Sequence, residues 1–289
     1  MRNRSAFTMI ELIFVIVVMG IIGKFGVEFL AQAYKSFIFT KINHELQQNS
    51  ESAVELIASR LQYRIKDSTI ARKSSGDFTG IEYSKGIDYT ILEWVASDID
   101  GFRGTTTPNW SGIIDLDASS KTNLDSPGTD TAEINNTIAI LSNGDSNISD
   151  AALYFIGSNN DIVNGYGWDG NQLNNQNGTM HPITSVPSNV EQFTSSTGTD
   201  FAGVDIYEYY KLAWTANAVV LKDGNLTLYY DYQPWEGESY TAGKSATIME
   251  NVSTFQFMAI GPIIKIQVCV KSDLLKEETY SLCKEKTVF

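Results

Sequence analysis

The sequence predicts an α+β protein in which one long N-terminal α-helix packs on a mainly antiparallel, β-rich globular head. Three observations lead to this prediction. Pro is absent before Pro108, and apolar residues recur every four positions along much of the N-terminal part. Beyond Ile70, short apolar runs separated by turn residues replace that period. An Asp223-Gly224 pair joins two of these runs, as in a β-hairpin.

The predicted helix starts at Phe7 and ends near Asp67. Its first part is an apolar run of membrane-crossing length, and its second part carries an apolar stripe formed by Tyr34, Ile38, Ile42, Leu46, Ile57, Leu61 and Ile65. At 1.5 Å per residue the helix would be about 90 Å long, of which a bilayer core accounts for about 30 Å. We therefore expect its outer part to lie against the chain's own C-terminal sheet. Two helices joined near Asn49-Ser50 are the alternative.

The head is predicted to consist of strands joined by turns. Candidate strands are the short apolar or alternating runs at 87–91, 138–141, 153–156, 218–222, 225–230, 250–257 and 263–268. The last two flank Gly261-Pro262, a turn sequence. The stretches 101–126 and 157–203 are rich in turn residues, and the second has few apolar anchors. We interpret the second as a long surface excursion or an irregular subdomain.

The N-terminal segment 4–26 combines basic residues with an apolar run that contains one acid, Glu11. A carboxylate inside a membrane-length helix costs about 2.5–3.5 kcal/mol on insertion scales, so Glu11 suggests a partner charge. A cleaved secretory signal would have a shorter apolar core followed by a small-residue cleavage site. An uncleaved signal anchor, oriented by Arg2 and Arg4, fits the length but leaves Glu11 unexplained.

The pattern Phe7-Thr8-x-x-Glu11 before an apolar stretch resembles the N-terminus of type IV prepilins and pseudopilins. In that family a peptidase cuts before the Phe and methylates the new amino group. The Glu at the fifth mature position then pairs with the Phe amine of a neighbouring subunit. The resemblance implies cleavage between Ala6 and Phe7, N-methylation of Phe7 and an assembly charge at Glu11. The family usually has Gly before the cut, where this chain has Ala6.

Two further features bear on this resemblance. Asn251-Val252-x-x-Phe255-x-Phe257 after the hairpin, then Pro262 before a β-rich strand, is similar to the end of the large minor pilins and of the J-type minor pseudopilin of type II secretion. With the bulky head, this implies a tip-proximal subunit. Several pilins carry a kinking Pro in the helix, where this chain has Glu28. The glycines of the helix, Gly20, Gly23 and Gly26, would serve either local melting or a close helix–helix contact.

The resemblance implies four regions: a leader at 1–6, a transmembrane and assembly helix at 7–30, its amphipathic continuation at 31–68, and a periplasmic head at 69–289. It also implies a single-pass protein of the bacterial inner membrane, with a cytoplasmic N-terminus, that later enters a pilus or pseudopilus. Its partners would be other pilin or pseudopilin subunits through the N-terminal helix, the prepilin peptidase and an inner-membrane assembly platform.

Charge and cysteine content agree with export. The chain has 34 acidic and 21 basic residues, a net charge of −13, and loss of Arg2 and Arg4 with the leader makes it −15. This acidity opposes nucleic-acid binding. An oxidising periplasm would allow Cys269 and Cys283 to form a disulfide, which type IV pilins often carry near the C-terminus. Two free thiols are the alternative.

The sequence contains no zinc-ligand spacing and no nucleophile motif, so we expect neither an enzyme nor a cofactor. His44 and His181 are interpreted as solvated. The oxygen-bearing side chains of Asp145, Asn147, Ser149 and Asp150 alternate as in calcium loops. They lack the Gly and the closing Glu of such loops, so a metal-free, solvated turn is the alternative.

Two rival functions remain open. A tip adhesin or substrate-binding module on the same scaffold would use aromatic side chains in loops, the candidates being Trp110, Tyr166, Trp168 and Trp235; these could equally be core residues. A plain signal-anchored periplasmic domain is the second rival. The choice among type II secretion, a type IV pilus and DNA uptake also stays open.

Overall fold

The computed structural model describes residues 8–84, 86–272 and 280–289. It confirms the predicted α+β class, with a long N-terminal helix followed by mainly antiparallel β-sheets. The chain divides into an N-terminal unit, Met1–Asn49, and a C-terminal unit, Ser50–Phe289.

Helix α1 spans Met9–Leu61 without interruption, so the alternative of two separate helices is wrong. Glu11 lies in its first turn and Arg60 in its last, which matches the partial charges at the two helix ends. The helix ends at Leu61 rather than near Asp67. The reason is tertiary: the backbone N–H of Ile65 donates to the carbonyl oxygen of Val95 at 2.9 Å and begins strand pairing there.

Fourteen strands are found among the described residues. In chain order they are β1 Ile70–Lys73, β2 Phe78–Gly80, β3 Tyr89–Ala96, β4 Asn123–Asp125, β5 Ala152–Phe155, β6 Met180–Val186, β7 Asn189–Ser195, β8 Tyr210–Ala213, β9 Thr215–Lys222, β10 Asn225–Tyr230, β11 Lys244–Met249, β12 Val252–Ile260, β13 Ile263–Ser272 and β14 Tyr280–Val288. They form three sheets, with the orders β11-β10-β9-β3-β1-β2, β4-β7-β6-β5-β8 and β12-β13-β14.

Both predicted C-terminal hairpins are confirmed. Strands β9 and β10 pair antiparallel around Asp223-Gly224. Asp223 has φ 51° and Gly224 has φ 80°, the two positive values that a type I′ turn requires. Strands β12 and β13 pair around Gly261-Pro262, with Ile260 opposite Ile263. Short-range turn chemistry therefore determines both connections.

Two short helices follow α1 in the chain, α2 at Ile99–Arg103 and α3 at Thr131–Leu141. The predicted strand at 138–141 is wrong, because these residues form the last turn of α3. The Asp130 carboxylate caps α3 by accepting two backbone N–H groups of its first turn, at 3.0 and 3.2 Å. Ile134 and Ile138 then share one buried face. Periodicity cannot assign a four-residue apolar run to a helix or a strand without such long-range burial.

Within the C-terminal unit, the end of α1 lies against the three-stranded sheet, as predicted. Its buried side chains recur at helical spacing and are Ala53, Val54, Ile57, Ala58 and Leu61. At the sheet edge, Lys284 of β14 donates to the Glu51 carboxylate at 3.2 Å, and Lys286 donates to Glu55 at 2.5 Å. The end of α1 is thus buried within the C-terminal unit and is joined to β14 by two Lys–Glu contacts.

Two apolar cores are seen among the described residues of the C-terminal unit. The first packs β3 and β9 of the six-stranded sheet against β5, β6 and the rings of Tyr166 and Trp168. The second packs α3 on the five-stranded sheet. The interpretation of 157–203 as a surface excursion with few anchors is therefore wrong. The stretch contains β6 and β7, and it contributes Tyr166 and Trp168 to the first core and Phe193 to the second.

The predicted disulfide is confirmed. Cys269 and Cys283 are register partners in β13 and β14 and are joined by a disulfide. We expect the double variant Cys269→Ser/Cys283→Ser to lose about 3 kcal/mol of unfolding free energy. Urea unfolding in detergent, followed by the fluorescence of the five Trp residues, would measure this loss, since all five lie in the C-terminal unit. Reduction of the unmodified protein is the matched control and should give the same loss; no change in either would contradict the prediction.

Candidate functional site

The candidate assembly site is the first turn of α1. Its cleavage and methylation residues, Ala6 and Phe7, lie outside the described residues. Glu11 is described, and its Oε2 accepts hydrogen bonds from the Thr8 backbone N–H at 2.9 Å and from the Thr8 hydroxyl at 2.8 Å. Both donors are neutral, so they satisfy the carboxylate oxygen without compensating its charge.

The contact between Thr8 and Glu11 is the acidic half of a helix capping box. Thr8 precedes the first helical residue, and the Glu11 side chain reaches back to its backbone N–H. This second role of Glu11 is not among the predictions made from the sequence. The signature Thr-x-x-Glu before an apolar run would have identified it. Any test of Glu11 must therefore separate its charge from its capping hydrogen bond.

The N-terminal unit exposes an apolar helix surface. Nearly all large apolar side chains between Met9 and Phe37 are exposed, by 44–82%. Among the described residues, α1 is the one helix long and apolar enough to cross a membrane by length and composition. Lys24 and Glu28 form an ion pair at 3.9 Å one helical turn apart, toward the end of the apolar run. A surface of this kind is stable in lipid or against other apolar helices.

The three glycines of α1 leave open space beside the helix. The helix is continuous through Gly20, Gly23 and Gly26, so local melting is not seen there. Apart from the neighbouring helix backbone, a Cβ built on any of the three meets no atom of the described residues within 4 Å. No contact within the described chain requires a small residue at these positions. The alternative of a close contact with another helix stays a prediction.

The calcium candidates are engaged in local hydrogen bonds. Asp145 pairs with Lys244 at 2.8 Å. The Asn147 side chain accepts from the Ser149 N–H at 2.9 Å, and the Asp150 carboxylate accepts from the Asn147 N–H at 2.6 Å. These bonds cap a 3-10 turn. In the part of the chain that the structure describes, no group of three or more His, Cys, Asp or Glu side chains could hold a metal.

The aromatic candidates for a binding surface are buried. Trp110, Tyr166, Trp168 and Trp235 are each at most 4% exposed. Trp110 donates its indole N–H to Asp98, and Trp235 donates to the Asp150 carbonyl oxygen at 3.0 Å. Buried indoles usually find such partners. These four side chains are therefore core residues and do not form an exposed aromatic surface.

The two histidines differ in environment. His44 is exposed on α1, whereas His181 of β6 is 3% exposed, so the interpretation of His181 as solvated is wrong. Its ring lies 4.8 Å from that of Phe155, centroid to centroid. Burial lowers the pKa of His181 to about 4, and a hydrogen bond to the Gln176 backbone partly opposes this shift. The ring is therefore neutral at pH 7.

Comparison of the chain with protein-family models, with curated proteins and with solved structures finds no match. Membership of a family is therefore a proposal, and its support comes from the N-terminal pattern and from the exposed apolar part of α1.

Proposed function

We propose that this chain is a minor, tip-proximal pilin or pseudopilin, a structural subunit of a type IV pilus-like or type II secretion filament. The observation that carries the proposal is a membrane-length apolar helix with one carboxylate in its first turn, continuous with a folded, β-rich unit. The subunit has no chemistry of its own in this proposal. It is first inserted in the inner membrane and is then incorporated into the filament.

The helix suits both stages of this process. All its backbone groups are paired internally apart from the ends, which is what a lipid environment requires. Arg2 and Arg4 would hold the N-terminus on the cytoplasmic side, with the C-terminal unit in the periplasm. In the filament, the exposed apolar surface would exchange lipid for the helices of neighbouring subunits.

In this proposal, the charge of Glu11 makes the pairing of neighbouring subunits specific. Among the described residues it has only the neutral donors of Thr8. In a low-dielectric bilayer an uncompensated charge is penalised, and pairing with a cation on a neighbouring subunit removes that penalty. The methylated amine of Phe7 would be that cation. The position of the charge near the helix start would fix the axial register of one subunit on the next.

The rest of the molecule suits a scaffold. The four candidate aromatic residues are buried, so they do not supply the exposed rings that the binding-module alternative requires. The end of α1 is anchored on the three-stranded sheet by burial and by the two Lys–Glu contacts, so force applied to the helix would pass directly into the C-terminal unit.

The test is the mature N-terminus. Mass spectrometry of the protein from its native host is expected to find a chain that begins with N-methyl-Phe7. An Ala6→Gly variant should be processed at least as completely, since Gly is usual in the family that the motif resembles. An intact Met1, or cleavage beyond Gly23, would contradict the proposal and favour a plain anchored or secreted domain.

A further inference from the structure

Two neighbouring polar clefts lie on the C-terminal unit and share Asn177 and Gly178 in their walls. The first has a volume of about 210 Å³, and its polar lining includes Ser158, Asn159, Gln176, His181, Asp205 and Tyr207. The second, of about 300 Å³, is lined chiefly by Asp161, Asn164, Gln172, Asn174 and Asn175. Neither lining contains a Lys or Arg among the described residues. The two clefts are therefore neighbouring, amide-rich depressions of the surface.

Gln176, which lines the first cleft, carries a buried acceptor atom without a partner among the described residues. The residue is 1% exposed. Its Nε2 donates to the Pro182 carbonyl oxygen and to the Ser195 hydroxyl, both at 2.8 Å. Because a carbonyl oxygen only accepts, reversing the amide would set two acceptors against each other. The orientation is thus determined, and Oε1 has no hydrogen-bond partner among the described residues.

His181 leaves a second buried acceptor in the same lining. A neutral imidazole carries one N–H donor and one acceptor nitrogen. The Gln176 backbone takes up the donor, and Nδ1 has no partner among the described residues. Buried polar atoms of native proteins are nearly always paired. Gln176 and His181 both line the first cleft, and each carries one buried acceptor atom that has no donor among the described residues.

We propose that the two clefts bind a neutral oligosaccharide, with a sugar unit in each. Sugar hydroxyls donate and accept, so they can satisfy His181 and Gln176 and also pair with the wall amides, which both donate and accept. The half-buried Tyr207 offers a ring against which the apolar face of a sugar can pack. Leu173 and Val204 are the few apolar lining residues, too few to anchor a peptide by its side chains. The net charge of −13 opposes anionic polymers.

This site does not depend on the proposed assembly role. It contains neither Glu11 nor any other residue of α1, and its lining residues come from the β5–β8 region of the C-terminal unit. Failure of one proposal therefore leaves the other standing. If both hold, the chain carries a glycan-binding surface on a filament subunit.

The experiment is NMR of the full chain with ¹⁵N-labelled histidine. The chain has two histidines, so the exposed His44 serves as an internal reference for His181. The protein is kept in a non-glycoside detergent, because a maltoside headgroup is itself a sugar. The probes are neutral di- and trisaccharides of glucose, galactose, mannose and their N-acetylamino forms. At least one is expected to shift the His181 Nδ1 resonance at millimolar concentration and to leave His44 unchanged.

Variants identify the site. Asn177 is exposed and lies in the walls of both clefts, so Asn177→Ala should weaken binding about tenfold, the loss of roughly one or two hydrogen bonds. The matched control is Asn136→Ala, an exposed Asn on α3 outside both clefts, which should bind normally. His181→Phe keeps a ring against Phe155 and should also reduce binding. The proposal is overturned if no sugar shifts His181 at concentrations up to about 10 mM, or if Asn177→Ala and Asn136→Ala bind equally.

Discussion

Glu11→Gln is expected to insert normally into the membrane and to lose incorporation into filaments by about 100-fold or more. Gln keeps the capping hydrogen bond to Thr8, since Gln serves at that position of a capping box as Glu does. It removes the charge, so the amine of the neighbouring subunit would be left unpaired in the bilayer. Breaking a buried ion pair costs about 3–5 kcal/mol, and every 1.4 kcal/mol is about a factor of ten.

The comparison of Glu11→Gln with Glu11→Leu separates the two roles of this residue. If the charge matters, neither variant is incorporated into filaments at the unmodified level. If only the capping hydrogen bond matters, Glu11→Gln is incorporated and Glu11→Leu is not. The measurement is the amount of the chain in sheared filaments relative to the amount in the membrane fraction. Incorporation of Glu11→Gln at the unmodified level would contradict the assembly role of the charge.

Arg72→Met is expected to destabilise the C-terminal unit by about 3–5 kcal/mol at pH 7. Arg72 of β1 pairs with Glu93 of β3, which is 1% exposed, and also donates to the Trp168 carbonyl oxygen at 2.9 Å. Among the described residues, the remaining side-chain partner of Glu93 is the Tyr232 hydroxyl, which donates to its Oε2 at 3.1 Å. Without Arg72, a buried carboxylate keeps one neutral donor and no compensating charge.

The pH dependence of this loss has a definite sign. Burial raises the pKa of Glu93, and the Arg72 charge partly lowers it, so the variant raises this pKa further. A carboxyl with a raised folded-state pKa binds more protons in the folded than in the unfolded state. The stability of the variant relative to the unmodified protein should therefore recover as the pH falls toward about 4.5, near the value for an unfolded Glu.

Urea unfolding followed by Trp fluorescence at several pH values would measure this effect. The double variant Arg72→Met/Glu93→Met should recover most of the loss, because it leaves no unpaired charge. Lys265→Met is the matched control at the exposed pair Lys265–Glu285 and should cost less than about 1 kcal/mol. A loss at Arg72→Met as small as the control's would show that the buried pair contributes nothing.

The candidate site could be predicted only in part. The sequence points to Glu11 because an acid in an apolar run is unusual at any position of a membrane-length helix. It does not point to Gln176 or His181 as unpaired acceptors. The hydrogen bonds of Gln176 depend on Pro182 and Ser195, which the pairing of β6 with β7 brings together. His181 in turn bonds to the Gln176 backbone. No local sequence pattern indicates which buried polar atoms will lack a hydrogen-bond partner.

The sequence by itself determined the features whose physics is local. The long helix follows from its apolar period and lack of Pro, and the β9–β10 turn follows from Asp223-Gly224, where positive φ is favoured. Only the tertiary structure decided the rest. It assigned 138–141 to α3 through the Asp130 cap and a buried face, ended α1 at Leu61 by pairing with β3, and buried the candidate aromatic rings. Burial and strand pairing join residues far apart in the chain, so a window of sequence cannot contain both partners.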